Sequence, residues 1–420
     1  MDKTLTNKIL ITLAFLFAYR ILAYVPVPGV NVDVIKEFFN SNNSNALGLF
    51  NMFSGKAAER LSIISLGIMP YITASIIMEL LAATFPKLGQ MKKERDGMQK
   101  YMQIIRYATI AITLVQSIGV SIGLQSLSGR GGEQAIMIDI NLFISISAVS
   151  MLTGTMLLMW IGEQITQRGI GNGISLIIFA GIVSGIPSAI GGTIKLVNTS
   201  EMNFLTVIAI LAIILATIGA IIFVEMGERR IPISYSRKVI MENQNKRIMN
   251  YIPIKVNLSG VIPPIFASAI LMFPSTILQA STNPIIQAIN DFLSPNGYMF
   301  NFLTFLFIIF FAFFYASIVF NTKDISENLK KQGGFIPGVR PGESTASYLN
   351  EVAGRLTLGG ALYLGIISTL PWVLVKTMGV PFYFGGTSVL IVVSVALDTM
   401  RRIEAQSYTN KYQTLSAVGL

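Results

Sequence analysis

Apolar residues are grouped along this chain into long runs that short polar segments separate. A helix needs about 20 predominantly apolar residues to cross the hydrocarbon core of a bilayer. In lipid the backbone must satisfy its own hydrogen bonds, which helices do within one segment. The runs therefore predict an all-α integral membrane protein. The ten predicted spans are 9–25, 61–85, 101–124, 140–162, 172–194, 203–225, 258–280, 299–320, 354–376 and 382–400.

Basic residues are distributed unevenly between the two sides that these spans define. Of the 31 lysines and arginines, 24 lie on the side of the N-terminus and 7 on the other side. Because cytoplasmic segments carry the excess of Lys and Arg, both termini are predicted to be cytoplasmic. The first run is followed by no small-residue cleavage site, so we expect it to be retained as a helix.

Ten spans divide into two groups of five that run in opposite senses, residues 1–194 and 195–420, which permits an inverted repeat. Pro70 in the second span and Pro263-Pro264 in the seventh occupy corresponding places. Because proline removes a backbone donor, we expect interrupted or kinked helices there, on a pathway between the halves. The alternative is that proline is simply common in membrane helices.

The composition excludes several kinds of chemistry. Hydrophobic residues make up 52% of the chain and charged residues 12%, and there is no Cys or His. Nucleophiles, metal sites and proton relays built on those two residues are therefore excluded, and no cofactor is expected. The ionisable residues within the spans are Glu79, Glu225 and Asp398, with Arg20 near an end. So few central carboxylates favour a passive conduit over an ion-coupled solute transporter, and a membrane enzyme is the weakest alternative.

Two cytoplasmic segments, 226–257 and 321–355, are long and basic. Long connections are usually functional or disordered, so we predict a docking surface for a soluble partner. Topology alone would explain the sign of their charge, although not their length.

Six short motifs in order along the chain resemble the SecY family of protein translocase channels. They are 50–55, 66–72, 162–175 around GEQIT and RGIGNGIS, 260–263, 338–343 and 381–388. The resemblance implies two inverted five-helix halves around an hourglass pore. It also implies a non-enzymatic channel in the inner membrane that moves unfolded secretory chains across and releases helices laterally into lipid.

In that family a ring of aliphatic side chains forms the constriction. Residues four apart on a helix share a face, so two of the matching pairs can each point inward. Aliphatic side chains seal around a moving chain and offer it no hydrogen bonds. The matching positions are Ile68, Ile72, Ile174, Ile178, Ile265 and Ile391.

The resemblance also implies a plug that closes the outer funnel, at about 47–65. Without the resemblance, the apolar segment 47–54 could equally lie at the membrane interface or re-enter the protein. The family commonly continues Phe-Ser-Gly-Gly, whereas Lys56 follows Gly55 here. Pro70 and Pro263-Pro264 would then belong to the helices that form the lateral gate. The plug motif comprises Phe50, Asn51, Met52, Phe53, Ser54 and Gly55.

By the same resemblance, the partners are SecE, SecG, the motor ATPase SecA, the ribosome, signal sequences, unfolded polypeptides and membrane lipid. Arginine suits docking because its guanidinium pairs with carboxylate or phosphate through two hydrogen bonds. The candidate docking residues are Arg229, Arg230, Arg237, Lys238, Lys246, Arg247 and Arg340.

Overall fold

The computed structural model describes residues 3–41, 51, 54–125, 134–199, 203–235, 250–278, 297–378 and 386–417. Each predicted span contains a helix. In the first half the helices are α1 (Lys3–Leu22), α2 (Val32–Ser41), α3 (Met69–Thr84), α4 (Pro86–Lys93), α5 (Arg95–Gln125), α6 (Ile140–Arg168), α7 (Gly173–Val183) and α8 (Ile186–Asn198). In the second half they are α9 (Phe204–Met226), α10 (Ile262–Leu278), α11 (Tyr298–Val319), α12 (Thr322–Lys331), α13 (Glu343–Met378) and α14 (Gly386–Ala417).

Helix length and composition agree with a membrane protein. Among the described residues, seven helical segments are long and apolar enough to cross a membrane, and the pair α3–α4, bent by 115°, is an eighth candidate. The seventh predicted span holds the shorter helix α10, of 17 residues. The tenth predicted span begins in 379–385, outside the described residues. The all-α membrane class is confirmed.

The second span differs from its prediction. Residues 61–68 form turns, and α3 starts at Met69, so the prediction of a helix over the whole of 61–85 is wrong at its start. Pro70 is the second residue of α3, where its missing N–H is not needed. Pro263 and Pro264 likewise lie in the first turn of α10. These prolines therefore begin helices after an interruption and do not kink helix interiors.

The turns before α3 are tied to the segment that follows α1. The backbone N–H of Val27 donates to the carbonyl of Leu61 at 2.9 Å, and that of Ile63 donates to Val25 at 3.0 Å. A single bridge pairs Pro26 with Ser62. Non-helical backbone at membrane depth is tolerated only inside protein, and these bonds supply the pairing that it needs.

The two long basic segments are not loops throughout, because they meet in one antiparallel sheet. Strand β1 (Glu228–Tyr235) lies between β2 (Asn250–Lys255) and β3 (Gly334–Phe335). The first two strands come from 226–257 and the third from 321–355. The sheet region has its own small core, with Ile231, Ile254, Ile336, Leu349 and Val352.

The largest hydrophobic cluster draws on both halves of the chain. It includes residues of α1, α3, α6 and α7 from the first half and of α10, α11 and α14 from the second. The turns that precede α3 contribute Ala57, Ile64 and Ile68 to it. The two halves are therefore joined by apolar packing around a common centre.

We expect Gly154→Ala in α6 to lower the free energy of unfolding by about 1–3 kcal/mol, the usual effect of overpacking. A Cβ at Gly154 would lie 2.6 Å from the carbonyl carbon of Ile63 and closer still to its oxygen, and this is backbone that cannot move aside cheaply. The measurement is thermal unfolding in detergent. Gly119→Ala in α5 is the matched control, because nothing lies within 4 Å of its Cβ position. That variant should be neutral or stabilising by about 0.5–1 kcal/mol; equal losses in both variants would contradict the account.

Candidate functional site

Two pairs of the six predicted ring residues lie at the starts of helices. Ile68 immediately precedes α3, and its carbonyl accepts the backbone N–H of Ile72 at 3.1 Å. Ile174 and Ile178 are one turn apart in α7. The side chain of Asn172 caps α7 by accepting the N–H of Ile174 at 3.1 Å. These local bonds fix the helix starts at which both pairs lie.

All six isoleucines belong to one hydrophobic cluster. Ile68, Ile72, Ile178 and Ile391 are buried members, and the other two, which are partly buried, pack against them. Because α10 and α14 supply one isoleucine each, the cluster closes between the two halves. The structure thus brings the predicted ring residues together and does not scatter them over the outer surface.

A cavity of about 650 Å³ adjoins this cluster at Ile174. Residues of α3, α5, α6 and α7 line it. Apart from Tyr71, near the start of α3, they lie at the helix ends that the charge distribution predicts to be cytoplasmic. Its lining mixes flexible apolar and amide side chains, among them Met98, Met102, Gln99 and Gln103. Methionine packs against irregular shapes, so such a wall suits many different ligands.

The acidic group in this cavity is already neutralised. Arg106 places one guanidinium nitrogen 2.7 and 2.8 Å from the two carboxylate oxygens of Glu163. Hydrogen bonds between charged partners are the stronger kind. Glu163 is therefore held as half of an ion pair joining α5 to α6, which does not fit a free coupling carboxylate.

The carboxylates within the other spans also have partners. Glu79 in α3 pairs with Lys92 in α4 at 3.4 Å, and Asp398 pairs with Arg402 at 2.8 Å. Glu225, at the end of α9, accepts a hydrogen bond from Asn257 at 2.6 Å. Among the described residues there is also no group of three or more acidic side chains that could hold a metal.

The structure describes part of the predicted plug. Phe50, Met52 and Phe53 lie outside the described residues, whereas Asn51 and Ser54 are buried. The side-chain oxygen of Asn51 accepts the N–H of Glu59 at 3.1 Å, and its amide donates to the Glu59 carboxylate at 2.7 Å. The Ser54 hydroxyl donates to the Asn51 carbonyl at 3.0 Å. These bonds hold Asn51 against the turn at 54–59.

Lys56 occupies a conformation that favours glycine. Gly55 has φ +67° and Lys56 has φ +66°. The left-handed region is costly for a residue with a Cβ, and the second glycine expected from the family pattern would avoid that cost. Lys56 places its ammonium group 3.9 Å from Glu59, a weak compensation for the strain. The departure changes the local backbone energy without removing the turn.

Sequence reasoning missed the groups that contact this turn. Tyr19 and Arg20 of α1 both reach its backbone, and Ser184 lies beside it at the end of α7. An arginine within an apolar run is the signal that could have found them, because an ionisable residue there usually has a specific partner.

The candidate docking residues are only partly described. Arg229, Arg230 and Arg340 are exposed, whereas Arg237, Lys238, Lys246 and Arg247 lie in 236–249, outside the described residues. Arg230 lies 2.6 Å from the Glu228 carboxylate. The hydrogen bond to Glu228 raises the pKa of Arg230 above the usual value. The positive charge of Arg230 is therefore partly neutralised within the chain.

Arg340 is presented on a fixed turn. Gly338 and Gly342 on either side have φ +83° and +105°. The turn is held by Thr345, whose hydroxyl donates to the Arg340 carbonyl at 2.8 Å, and by Ser326, whose hydroxyl donates to Gly342 at 2.6 Å. Among the described residues, no carboxylate forms an ion pair with Arg340, so its guanidinium is available to a partner.

The profile of the SecY family matches residues 62–400 of this chain. The chain belongs to the SecY family. The protein translocase subunit SecY of Helicobacter pylori strain 26695 is 72% identical over 420 residues, which cover 100% of both chains. This match extends the SecY likeness across the plug motif and the C-terminal helix.

Solved structures share the fold at low sequence identity. A SecY protein, reported with a plug domain that stabilises the closed state of the translocation channel and maintains a membrane seal, has a TM-score of 0.69 at 19% identity, covering 97% of this chain and 93% of that one. Sec61 in the canine ribosome–channel complex has a TM-score of 0.65 at 17% identity, covering 97% and 94%. The ten-helix channel fold is thereby confirmed.

We expect Lys56→Gly to stabilise the folded chain by about 1 kcal/mol, because it removes the strain of a Cβ in the left-handed region. The measurement is thermal unfolding in detergent. Lys56→Ala is the matched control: it removes the same charge but keeps the strain, and it should be neutral or slightly destabilising. Equal effects of the two substitutions would show that the Lys56–Glu59 pair, and not the backbone, sets the energy of this turn.

Proposed function

We propose that this chain is the protein-conducting channel of a protein translocase. It passes unfolded secretory polypeptides across the cytoplasmic membrane and releases hydrophobic segments sideways into lipid. The observation that carries this proposal is the joint cluster of six isoleucines, Ile68 just before α3 and five others in α3, α7, α10 and α14, in a chain of the SecY family.

An aliphatic constriction suits a conduit for polypeptides. Isoleucine side chains exclude water and ions when packed, and they offer a passing backbone no hydrogen bond that would hold it. The six residues come from four helices and the turn before α3, so the cluster can widen by helix movement without breaking any one helix. We propose that Ile68, Ile72, Ile174, Ile178, Ile265 and Ile391 form the pore ring.

A sideways exit is proposed between α3 and α10. These helices contact each other across the division between the halves, and α10 also contacts α5 and α11. Their first turns, at Pro70 and Pro263-Pro264, follow non-helical segments in the described structure. Helix starts lack the constraint of a preceding turn, which suits them as hinges.

The two halves are proposed to be inverted repeats, as the span count predicts. Helix α8 continues to Asn198, so the predicted boundary at residue 194 falls inside this helix. Helix α9, the first of the proposed second half, starts at Phe204.

The alternative of a small-solute transporter lacks support. The carboxylates in the described spans are engaged in ion pairs or hydrogen bonds, and the cavity lies toward helix ends. We also propose that the chain catalyses no reaction itself and depends on a separate motor. The absence of Cys and His from the sequence supports this view.

The proposed partners are those of a bacterial translocase. SecE and SecG would complete the membrane complex, and SecA or a ribosome would dock on the cytoplasmic sheet and the Arg340 turn. The structural similarity to Sec61 in a ribosome–channel complex supports the ribosome as a partner. The 24 basic residues on the side of the termini support a cytoplasmic location for both.

The pore can be tested by crosslinking, since the chain has no native cysteine. We expect Ile72→Cys and Ile265→Cys to form disulfides with a cysteine in a secretory chain stalled during translocation, because the polypeptide must pass the ring. The control is Ile208→Cys in α9, an isoleucine that is 49% exposed and lies outside the central cluster. Crosslinks at Ile208 as strong as at the ring, or none at any ring position with SecA, SecE and SecG present, would refute the channel.

The docking surface can be tested at its fixed turn. We expect Arg340→Ala to raise the SecA concentration needed for half-maximal translocation about tenfold, as loss of an interface arginine often does. The control is Arg402→Ala, which removes an exposed arginine already paired with Asp398. An unchanged SecA dependence in Arg340→Ala would remove this residue from the docking surface.

A further inference from the structure

The backbone of the plug turn at Gly55 is enclosed by side chains of two helices. Arg20 of α1 donates from Nη1 to the Gly55 carbonyl oxygen at 2.9 Å. The hydroxyl of the neighbouring Tyr19 donates to the Ser54 carbonyl at 3.3 Å. Two successive carbonyls of the turn are therefore held by two successive residues of α1.

The same turn is packed too tightly for any side chain at residue 55. A Cβ there would lie 2.6 Å from the Tyr19 hydroxyl oxygen and 2.9 Å from the Cα of Gly181 in α7. Gly55 thus fits between α1 and α7, the helix that also carries Ile174 and Ile178. Ser184 lies 3.5 Å from the Gly55 carbonyl but donates to Gly181 at 2.6 Å, so its contribution to the turn is small.

Arg20 has an unusual position for a charged residue. It is partly buried in a predominantly apolar helix, and no carboxylate among the described residues forms an ion pair with it. Its guanidinium lies 5.6 Å from the centre of the Tyr24 ring, which attracts a cation weakly. A charge in such a place is costly, so the hydrogen bond to Gly55 is its principal compensation.

We propose that Arg20, assisted by Tyr19, is the latch that holds the plug in its closed position. The inference rests on the proposed function, and it adds which residues control the seal. Arg20 is a positioning residue: it acts on the pore through the plug backbone. Because the acceptor is a main-chain carbonyl, the latch needs no particular side chain in the plug beyond the glycine at residue 55, and it breaks when the turn moves away from α1.

Charge and shape both matter to this latch. A charge-assisted bond is stronger than the neutral bond made by a tyrosine hydroxyl, so Arg20 should contribute more than Tyr19. Lysine keeps the charge, but its compact ammonium group lacks the planar, forked set of N–H donors of a guanidinium. Lysine should therefore replace arginine only in part.

The test uses the complete complex with SecE and SecG in proteoliposomes, and three readouts. They are chloride leak through the resting complex, SecA-driven translocation of a normal preprotein, and maleimide labelling of Ser62→Cys. Ser62 is fully buried in the plug region, and cysteine conserves its shape. Labelling by a membrane-impermeant maleimide therefore reports how often the plug opens.

We expect Arg20→Gln to raise both the leak and the labelling rate about tenfold or more, and Tyr19→Phe to raise them about threefold. Arg20→Lys should fall between Arg20→Gln and the unmodified chain. Translocation of the preprotein should persist, because the ring is unaltered. The matched control is Lys195→Gln, which removes an exposed positive charge in α8, away from the plug contacts; it should change nothing.

The outcomes separate the latch from the channel. If the unmodified complex translocates but Arg20→Gln and Tyr19→Phe neither leak nor label faster, the latch is overturned and the channel stands. If the unmodified complex translocates nothing, the proposed function fails, while labelling of Ser62→Cys still tests the Arg20 contact. If Arg20→Gln does not assemble, Tyr19→Phe decides the question alone, because it keeps the aromatic ring of residue 19 and leaves the charge of Arg20 in place.

Discussion

The structure depends on one constraint, that backbone at membrane depth must have its hydrogen bonds satisfied by protein. Segment 54–68 is not a continuous helix, so it cannot meet that requirement alone. Its turns pair internally, for example Gly67 with Ile64 at 2.8 Å, and with the chain at 25–27. The enclosure by α1, α6 and α7 follows from this need. Most backbone bonds of this segment are made within it, two more join it to Val25 and Val27, and Tyr19 and Arg20 donate to its carbonyls from their side chains.

The central cluster would also suit the proposed pore ring, which has to close a path and still allow it to reopen. Apolar packing is non-directional, so α3, α7, α10 and α14 can shift against one another and repack. Polar groups at this centre would impose a single geometry through their hydrogen bonds. Directional contacts are instead found at the periphery, as in the Arg106–Glu163 pair and the Asn257–Glu225 bond. The peripheral polar contacts thus hold the helices rigidly, whereas the apolar packing between them allows movement.

Much of the fold was predictable from the apolar runs, because a helix in lipid is determined mainly by length and hydropathy. The failures occur where tertiary contacts replace helical bonds. The start of the second span is as apolar as a helix, but its residues 61–63 pair with 25–27 and the segment forms turns. The six ring residues could not be selected by periodicity among many isoleucines; family motifs selected them. The strand pairing of Ser234 with Phe335 joins residues about a hundred positions apart, which no local pattern specifies.

The distribution of charge fits a channel whose energy comes from outside it. The described carboxylates Glu79, Glu163 and Asp398 are paired locally, so they stabilise the fold and do not stand free to bind a coupling ion. In the proposed channel, a change of state would then be driven by contacts made at the surface. The exposed Arg340 turn and the strands beside it are the described elements placed to receive them. The end of α9 leads directly into β1, and β2 is followed within a few residues by α10. A partner that shifts the sheet would therefore act on α10, which carries Ile265 of the proposed pore ring.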